Sequence, residues 1–158
     1  MTKLHWEDFT PGRVNEYGPH IIKREEIIAF ASEFDPQPMH LDEEAGRQSL
    51  LGGLGASGWN TCGIVMRLLS DGFLLNSSTM GSPGIDEVRW LRPVRPNDRL
   101  TLRVEVLETR ASRSRPDMGL VKFAYALRNQ HDDVVLTMAN SIMFGRRNPG
   151  TGGKAPLS

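Results

Sequence analysis

"LGGLGASGWNTCGIVMRLLSDGF", residues 51–73, decides how the rest of the chain is read. Four glycines precede or open it, and Ser57 stands where a helix N-cap belongs, its hydroxyl placed to accept from an N–H of the first turn. From there Trp59, Cys62, Val65, Met66, Leu69 and Phe73 trace one helical stripe, which Ile64 and Leu68 widen around much of the circumference. A helix that is apolar over so much of its surface is buried against a sheet. The chain beyond it supplies that sheet. After the Gly/Ser/Pro break "NSSTMGSPG" (76–84) the period changes to two: Leu100, Leu102, Val104 and Val106 alternate with Arg99, Thr101, Arg103 and Glu105. "LVKFAYALRN" (120–129) and "VVLTMANSIMFG" (134–145) are two more strands, joined by the turn "NQHDD". "IDEVRWLRPV" (85–94) is an earlier one, closed by Pro93 and Pro96. One long buried helix followed by antiparallel strands predicts an α+β domain in which a curved sheet wraps the helix.

Upstream of the helix the pattern is weaker. The first twenty residues read as an irregular or extended lead-in, with turns at Pro11-Gly12 and Gly18-Pro19. "KREEIIAFASEF" (23–34) is predicted helical, because Ile27, Phe30, Ala31 and Phe34 fall at i, i+3, i+4 and i+7. Asp42 reads as the N-cap of a short turn, "EEAGRQ". The end of the chain, "RRNPGTGGKAPLS" (146–158), is polar and glycine-rich and reads as disordered. The expected organisation is a single domain over residues 1–148 with a disordered tail over 149–158, and no internal repeat.

Composition narrows the class. At 158 residues the chain is long enough to bury a core without staples, and 39% hydrophobic with 24% charged residues is the balance of a soluble globular protein. No apolar run approaches the roughly 18 residues of a membrane span, and "MTKLHWEDFTPG" has no signal-peptide apolar region. The single cysteine, Cys62, excludes an internal disulfide and a Cys-based zinc cluster. The expected location is the cytoplasm. Net charge is zero but uneven: residues 1–79 carry 6 Lys/Arg and 11 Asp/Glu, residues 80–158 carry 13 and 8, so the halves stand at −5 and +5. Eleven of the thirteen later cations are arginine. They either line the solvent faces of strands or serve a polyanion, since guanidinium suits phosphate. A nucleic acid is not the expected partner, because overall charge is neutral and no basic, aromatic-interleaved motif occurs.

The chemistry concentrates in "FDPQPMHLDEEAG" (34–46). Pro36 and Pro38 lack a backbone N–H, fix φ and push the preceding residue into extended geometry, so no helix links Asp35 to His40. The segment must be a bent, semi-rigid bridge holding one carboxylate and one imidazole in a fixed relation. Such a pair can take a proton from water and return one to a neighbouring carbon, the two acts needed to add water across a double bond. Two other uses fit the spacing. A capping Asp and a surface His in a turn is one; a two-His, one-carboxylate metal site from His40, Asp42 and the distant His131 is the other.

The wider context separates them. "FASEFDPQPMHLDEEAG" (30–46) resembles the hydratase motif of MaoC-like dehydratases, the (R)-specific enoyl-CoA hydratase group of hotdog-fold proteins. That motif runs Asp, a spacer, Asn, Pro, an apolar residue, His, a spacer and an acidic residue, and Asp35, Pro38, Met39, His40 and Asp42 match it position by position. The likeness extends to "EDFTPG" (7–12), "LGASGWNTCGIVMRLL" (54–69) and "GSPGIDEVRWLRPVRPNDRLTLRVEVLE" (81–108), and so covers roughly residues 5–145. It departs in having Phe34 where the family has Gly, Gln37 in place of the motif Asn, and Asn60 where relatives often carry His. The resemblance implies a hotdog fold with the helix opening at Ser57 at its centre. It also implies a hydration or dehydration of an acyl thioester, carried by CoA or a carrier protein, with Asp35 as the base that activates water and His40 as its partner. Gln37 would then bind substrate or water, Ser57 would cap the helix or support Asp35, and the N–H of Gly58 would serve an oxyanion hole. Gly58 has a second explanation, close packing of helix on sheet. CoA phosphates would meet a basic loop made of Arg110, Arg113 and Arg115, or else Arg89 and Arg92. No metal and no separate cofactor are expected, and the expected assembly is a homodimer or a dimer of dimers.

Two further readings stay open at this level. A hotdog thioesterase would use a carboxylate without the D-P-x-P-x-H arrangement, and a non-catalytic acyl-CoA binding module would leave both ionisable residues idle. Trp59, Met66, Leu69 and Trp90 either line an acyl pocket or are plain core.

Overall fold

The computed structural model of the protein describes residues 2–150, and the expected tail from residue 151 onward lies outside them. Three helices and six strands follow one another as β1 (Val14–Ile21), α1 (Arg24–Phe34), α2 (Glu43–Arg47), α3 (Gly58–Gly72), β2 (Thr79–Gly81), β3 (Ile85–Trp90), β4 (Arg99–Ala111), β5 (Met118–Arg128) and β6 (Val134–Gly145). The sheet is antiparallel throughout, in the order β1-β4-β5-β6, with β2 and β3 both on the outer edge of β6. Its inner face carries the alternating residues read from the sequence: Leu100, Leu102, Val104 and Val106 of β4 are buried, as are Val121, Phe123, Tyr125 and Leu127 of β5. Helix α3 lies against that face. This is the hotdog arrangement. No helix among the described residues is long and apolar enough to cross a membrane.

Helix α3 begins where the sequence places it. Ser57 Oγ accepts from the Trp59 N–H at 3.3 Å, and the Phe73 N–H closes the last turn on Leu69 O. Its buried face, however, is rotated from the expected stripe. Thr61, Ile64, Val65, Leu68 and Leu69 meet the sheet, while Trp59 and Met66 are 63% and 48% exposed. Two overlapping stripes share this helix, and periodicity alone does not say which one faces the sheet.

Other elements also differ from expectation. The lead-in contains a real strand, β1, paired with β4 and interrupted by a register shift between Tyr17 and His20. Gly18-Pro19 lies in that interruption and hides the strand's alternation, and a proline there is tolerated because β1 is an edge. The Gly/Ser/Pro break holds the three-residue β2, too short to show a period. Strand β3 ends at Trp90, and residues 91–94 leave the sheet, Val94 O accepting from Ala56 N–H at 2.9 Å. In α1, Ile27 and Ala31 are buried but Phe34 is 66% exposed, resting on Phe30 at 5.2 Å between ring centroids. The polar stretch from residue 146 is tied down at its start. Arg147 reaches Asp8 at 2.6 Å, Arg146 lies over the Trp6 ring at 5.0 Å, and the Gly150 N–H donates to Pro116 O. These partners lie some thirty or more residues away in the chain, two of them near its start, which local composition cannot reveal.

Candidate active site

The two prolines act as their chemistry requires. Helix α1 stops with the Asp35 N–H on Ala31 O at 2.9 Å, because Pro36 has no N–H to continue it. Gln37 N–H returns to Asp35 O, and a single 3-10 turn over Pro38–His40 follows, closed by the His40 N–H on Gln37 O. Asp42 then caps α2, accepting from Ala45 N–H at 2.9 Å. The result brings His40 Nε2 to 3.5 Å from Asp35 Oδ2. His40 is buried, with 7% of its surface exposed.

Each member of the pair is oriented by a further group. His40 Nδ1 lies 2.7 Å from Gly55 O. A carbonyl can only accept, so the ring carries a hydrogen on Nδ1, and in the neutral form of the imidazole the lone pair stands on Nε2. Asp35 Oδ2 accepts from Ser57 Oγ–H at 2.6 Å, and Oδ1 accepts from the Gln37 side-chain amide at 2.7 Å. The Ser57 hydroxyl, followed by the Gln37 amide, holds the Asp35 carboxyl below the usual carboxylate range. Ser57 thus both caps α3 and supports Asp35, and it is fully buried.

The pair opens into a cavity of about 430 Å³, whose walls include Gln37, Gly58, Thr61, Trp90 and Arg92. Gly58 is the first residue of α3, where backbone N–H groups have no partner within the helix, and its N–H has none elsewhere among the described residues. Its carbonyl accepts from Trp90 Nε1–H at 2.9 Å. A Cβ at position 58 would sit 2.5 Å from the Trp90 indole, so packing alone requires glycine here. Trp59 meets Trp90 edge-on, 5.5 Å between ring centroids. A second, apolar cavity of about 150 Å³ lies between α3 and the β3–β6 pair, lined by Met66, Leu69, Val88 and Met138, and Trp59 is a wall of both. Trp59, Met66, Leu69 and Trp90 therefore all line cavities.

Several site features carry no signature in the sequence. Gly55 O is a backbone acceptor. The loop that presents it is held by Arg95, whose guanidinium donates to Leu54 O at 3.1 Å and to Leu51 O. Gly46 lets that loop approach α2, since a Cβ there would sit 2.4 Å from the Gly53 backbone. Asn60 is buried, and its Nδ2 makes no hydrogen bond among the described residues.

The arginines are not gathered at this site. Of the five considered for phosphate, only Arg92 borders the cavity. Arg89 is exposed and paired with Glu87. Arg115 is paired with Asp117 at 2.8 Å, and Arg113 is exposed in the same β4–β5 connection. Arg110 lines a separate depression with Glu108 and Lys122. In register, Leu102, Leu127 and Leu136 lie level, beside the cavity wall residue Val135, whereas Arg110 pairs with Leu120. The stretch of β4 from Leu102 to Arg110 spans roughly 26 Å at the rise of a strand. The metal reading is not assembled either: Asp42 is spent on its cap, His131 sits in the β5–β6 turn, and no metal-holding cluster of three His, Cys, Asp or Glu occurs among the described residues.

Comparison with known proteins agrees with the motif. YdeM of Bacillus subtilis (strain 168) is 30% identical over 141 residues, covering 89% of this chain and 98% of its own. A MaoC-like dehydratase from Rhodospirillum rubrum is 41% identical and superposes with a TM-score of 0.84, covering 92% of this chain and 99% of that one. An R-hydratase from Pseudomonas aeruginosa, only 20% identical, shares the fold with a TM-score of 0.73 over 99% of this chain and 96% of its own. Residues 8–124, which hold Asp35, His40, Ser57 and Gly58, match the family described as MaoC like domain, and the chain belongs to that family.

Proposed function

We propose that the protein is an (R)-specific enoyl-CoA hydratase, acting in reverse as a 3-hydroxyacyl-CoA dehydratase. The observation that carries this reading is a pair of proton acceptors 3.5 Å apart, Asp35 Oδ2 and His40 Nε2, facing one cavity. A water between them donates one hydrogen to each, which turns an oxygen lone pair outward toward the β-carbon of an unsaturated thioester. As that oxygen attacks, one water proton passes to the pair, and the electrons of the double bond move onto the thioester as an enolate. The Gly58 N–H, at the positive end of α3, is the donor for the enolate oxygen. The pair then returns its proton to the α-carbon, so that one water has been added and both residues are restored. The thioester handle is CoA or a carrier protein, Arg92 is the cation nearest to receive its phosphates, and no separate cofactor takes part.

Incubation with crotonyl-CoA tests the reading. Loss of the conjugated absorbance without release of free thiol is the expected result. Thiol release would make the protein a thioesterase, and binding without either change would make it an acyl-CoA binding module.

A further inference from the structure

Asp35 is held at both carboxylate oxygens by neutral donors, Ser57 on Oδ2 and Gln37 on Oδ1. The two donors differ in kind. Ser57 is buried and also caps α3, whereas Gln37 is exposed and its side chain makes no other hydrogen bond among the described residues. The turn that links Gln37 N–H to Asp35 O at 2.8 Å folds the glutamine side chain back onto the carboxylate two residues earlier. No packing requirement explains a glutamine at this exposed position; a single charge-assisted hydrogen bond does.

Hydrogen bonds to an ionised acceptor are about twice as strong as neutral ones. Two of them stabilise the charged form and fix the plane of the carboxylate, and each makes it a poorer proton acceptor. The charged and titratable groups facing Asp35 are few. His40 approaches from the 3-10 turn, and Arg92 borders the same cavity from the segment after β3. An imidazole is intrinsically the stronger base, with a reference value of about 6.5 against about 3.9 for a carboxylate.

We propose that Gln37 is a positioning residue that keeps Asp35 an ionised, oriented anchor, leaving His40 Nε2 to carry the proton from water to the α-carbon. This assignment rests on the hydratase reading above. In the step, a water O–H bond breaks and its proton joins the Nε2 lone pair while the oxygen bonds to the β-carbon. The imidazolium so formed is stabilised by the Asp35 charge beside it. It then gives the same proton to the α-carbon, and the ring returns to its neutral form. This proposal places the base on His40, where the resemblance to the family implied Asp35.

The test uses the whole chain as wild type, Gln37→Met and Gln37→Glu. The Asp35 carboxyl is followed by carbon NMR across acid pH, its signal assigned by its absence in Asp35→Asn, and crotonyl-CoA kinetics are measured on the same samples. Gln37→Met should raise the Asp35 midpoint by roughly one pH unit, and Gln37→Glu should raise it further. Both should lower kcat by about tenfold to a hundredfold with KM little changed, and thermal unfolding at neutral pH should fall by no more than the few degrees that linkage to the raised midpoint requires. An unmoved midpoint, or a rise in KM at constant kcat, would overturn the assignment and make Gln37 a substrate contact. If the wild type hydrates nothing, the hydratase reading and the proton route fall together. The NMR midpoint would still decide whether Gln37 clamps Asp35.

Discussion

In the proposed reaction Asp35 and His40 work on a single water as one unit. Asp35→Asn and His40→Ala should each reduce hydration on the order of a hundredfold to ten-thousandfold. The double variant should be little worse than either single one, because the two act as a unit. A single variant that retains near-normal turnover would remove both residues from the mechanism. Linkage adds a stability signature to the first of these. Asp35 titrates below the ordinary carboxylate range, so its contribution to folding is complete above that range and is lost as pH falls through its lowered midpoint. Asp35→Asn should flatten that acid limb of the stability curve. The pair itself was legible in the sequence because two prolines admit only a bent bridge between its members. The Gly55 carbonyl that fixes the His40 tautomer was not, since a backbone acceptor has no residue type. Arg95 escaped for a related reason: it acts on carbonyls of a loop some forty residues earlier.

At the scale of elements, the site depends on where α3 begins. Gly58, whose N–H is unpaired among the described residues, borders the cavity, and Trp90 anchors the carbonyl of that residue from β3 through its indole N–H. Gly58→Ala forces the indole away, because the new Cβ would meet it at 2.5 Å. The loss should be about 1–3 kcal/mol of stability, the ordinary cost of overpacking, with a shift in tryptophan fluorescence and a fall in kcat. Unchanged fluorescence with full activity would show that Trp90 does not set the helix start. Element by element, legibility followed signal strength. Strands β4, β5 and β6 are each more than ten residues long, alternate over most of their length and were read correctly in type and order. Strand β2, with three residues, and β1, broken at Gly18-Pro19, offer too short a run for a period to emerge. The face of α3 was misjudged because Trp59 and Met66 satisfy the helical period yet stay largely exposed.

Over the whole molecule, the arginines of the second half lie mostly away from the site, several of them paired with carboxylates, and Arg92 alone of the five considered for phosphate borders it. Replacing Arg92 with Gln should raise KM for an acyl-CoA and weaken its salt dependence with kcat little changed, since such contacts bind ground and transition states alike. Replacing Arg110, Arg113 and Arg115 together should leave KM unmoved; the reverse pattern would place the nucleotide at the β4–β5 loop. The remaining question is what covers the edge. Strand β3 pairs with β6 on one side only, and exposed Ile85, Trp90 and Leu91 continue across to Trp59 and Met66 on α3. An unpaired strand beside a contiguous apolar band is a surface that proteins cover, and nothing among the described residues folds over it. Trp59 and Trp90 belong both to this band and to the wall of the cavity beside Asp35 and His40, so a cover on the band would also border that cavity. The expected cover is a second copy of the chain, pairing edge to edge along β3. Sedimentation across dilution should show a homodimer, or a dimer of dimers, and specific activity should fall as the dimer dissociates. Ile85→Lys, which places a charge on the edge, should shift the protein toward monomer and lower its activity at a concentration where the wild type is fully assembled. A stable wild-type monomer with full specific activity would rule out this assembly and leave the cavity complete within one chain.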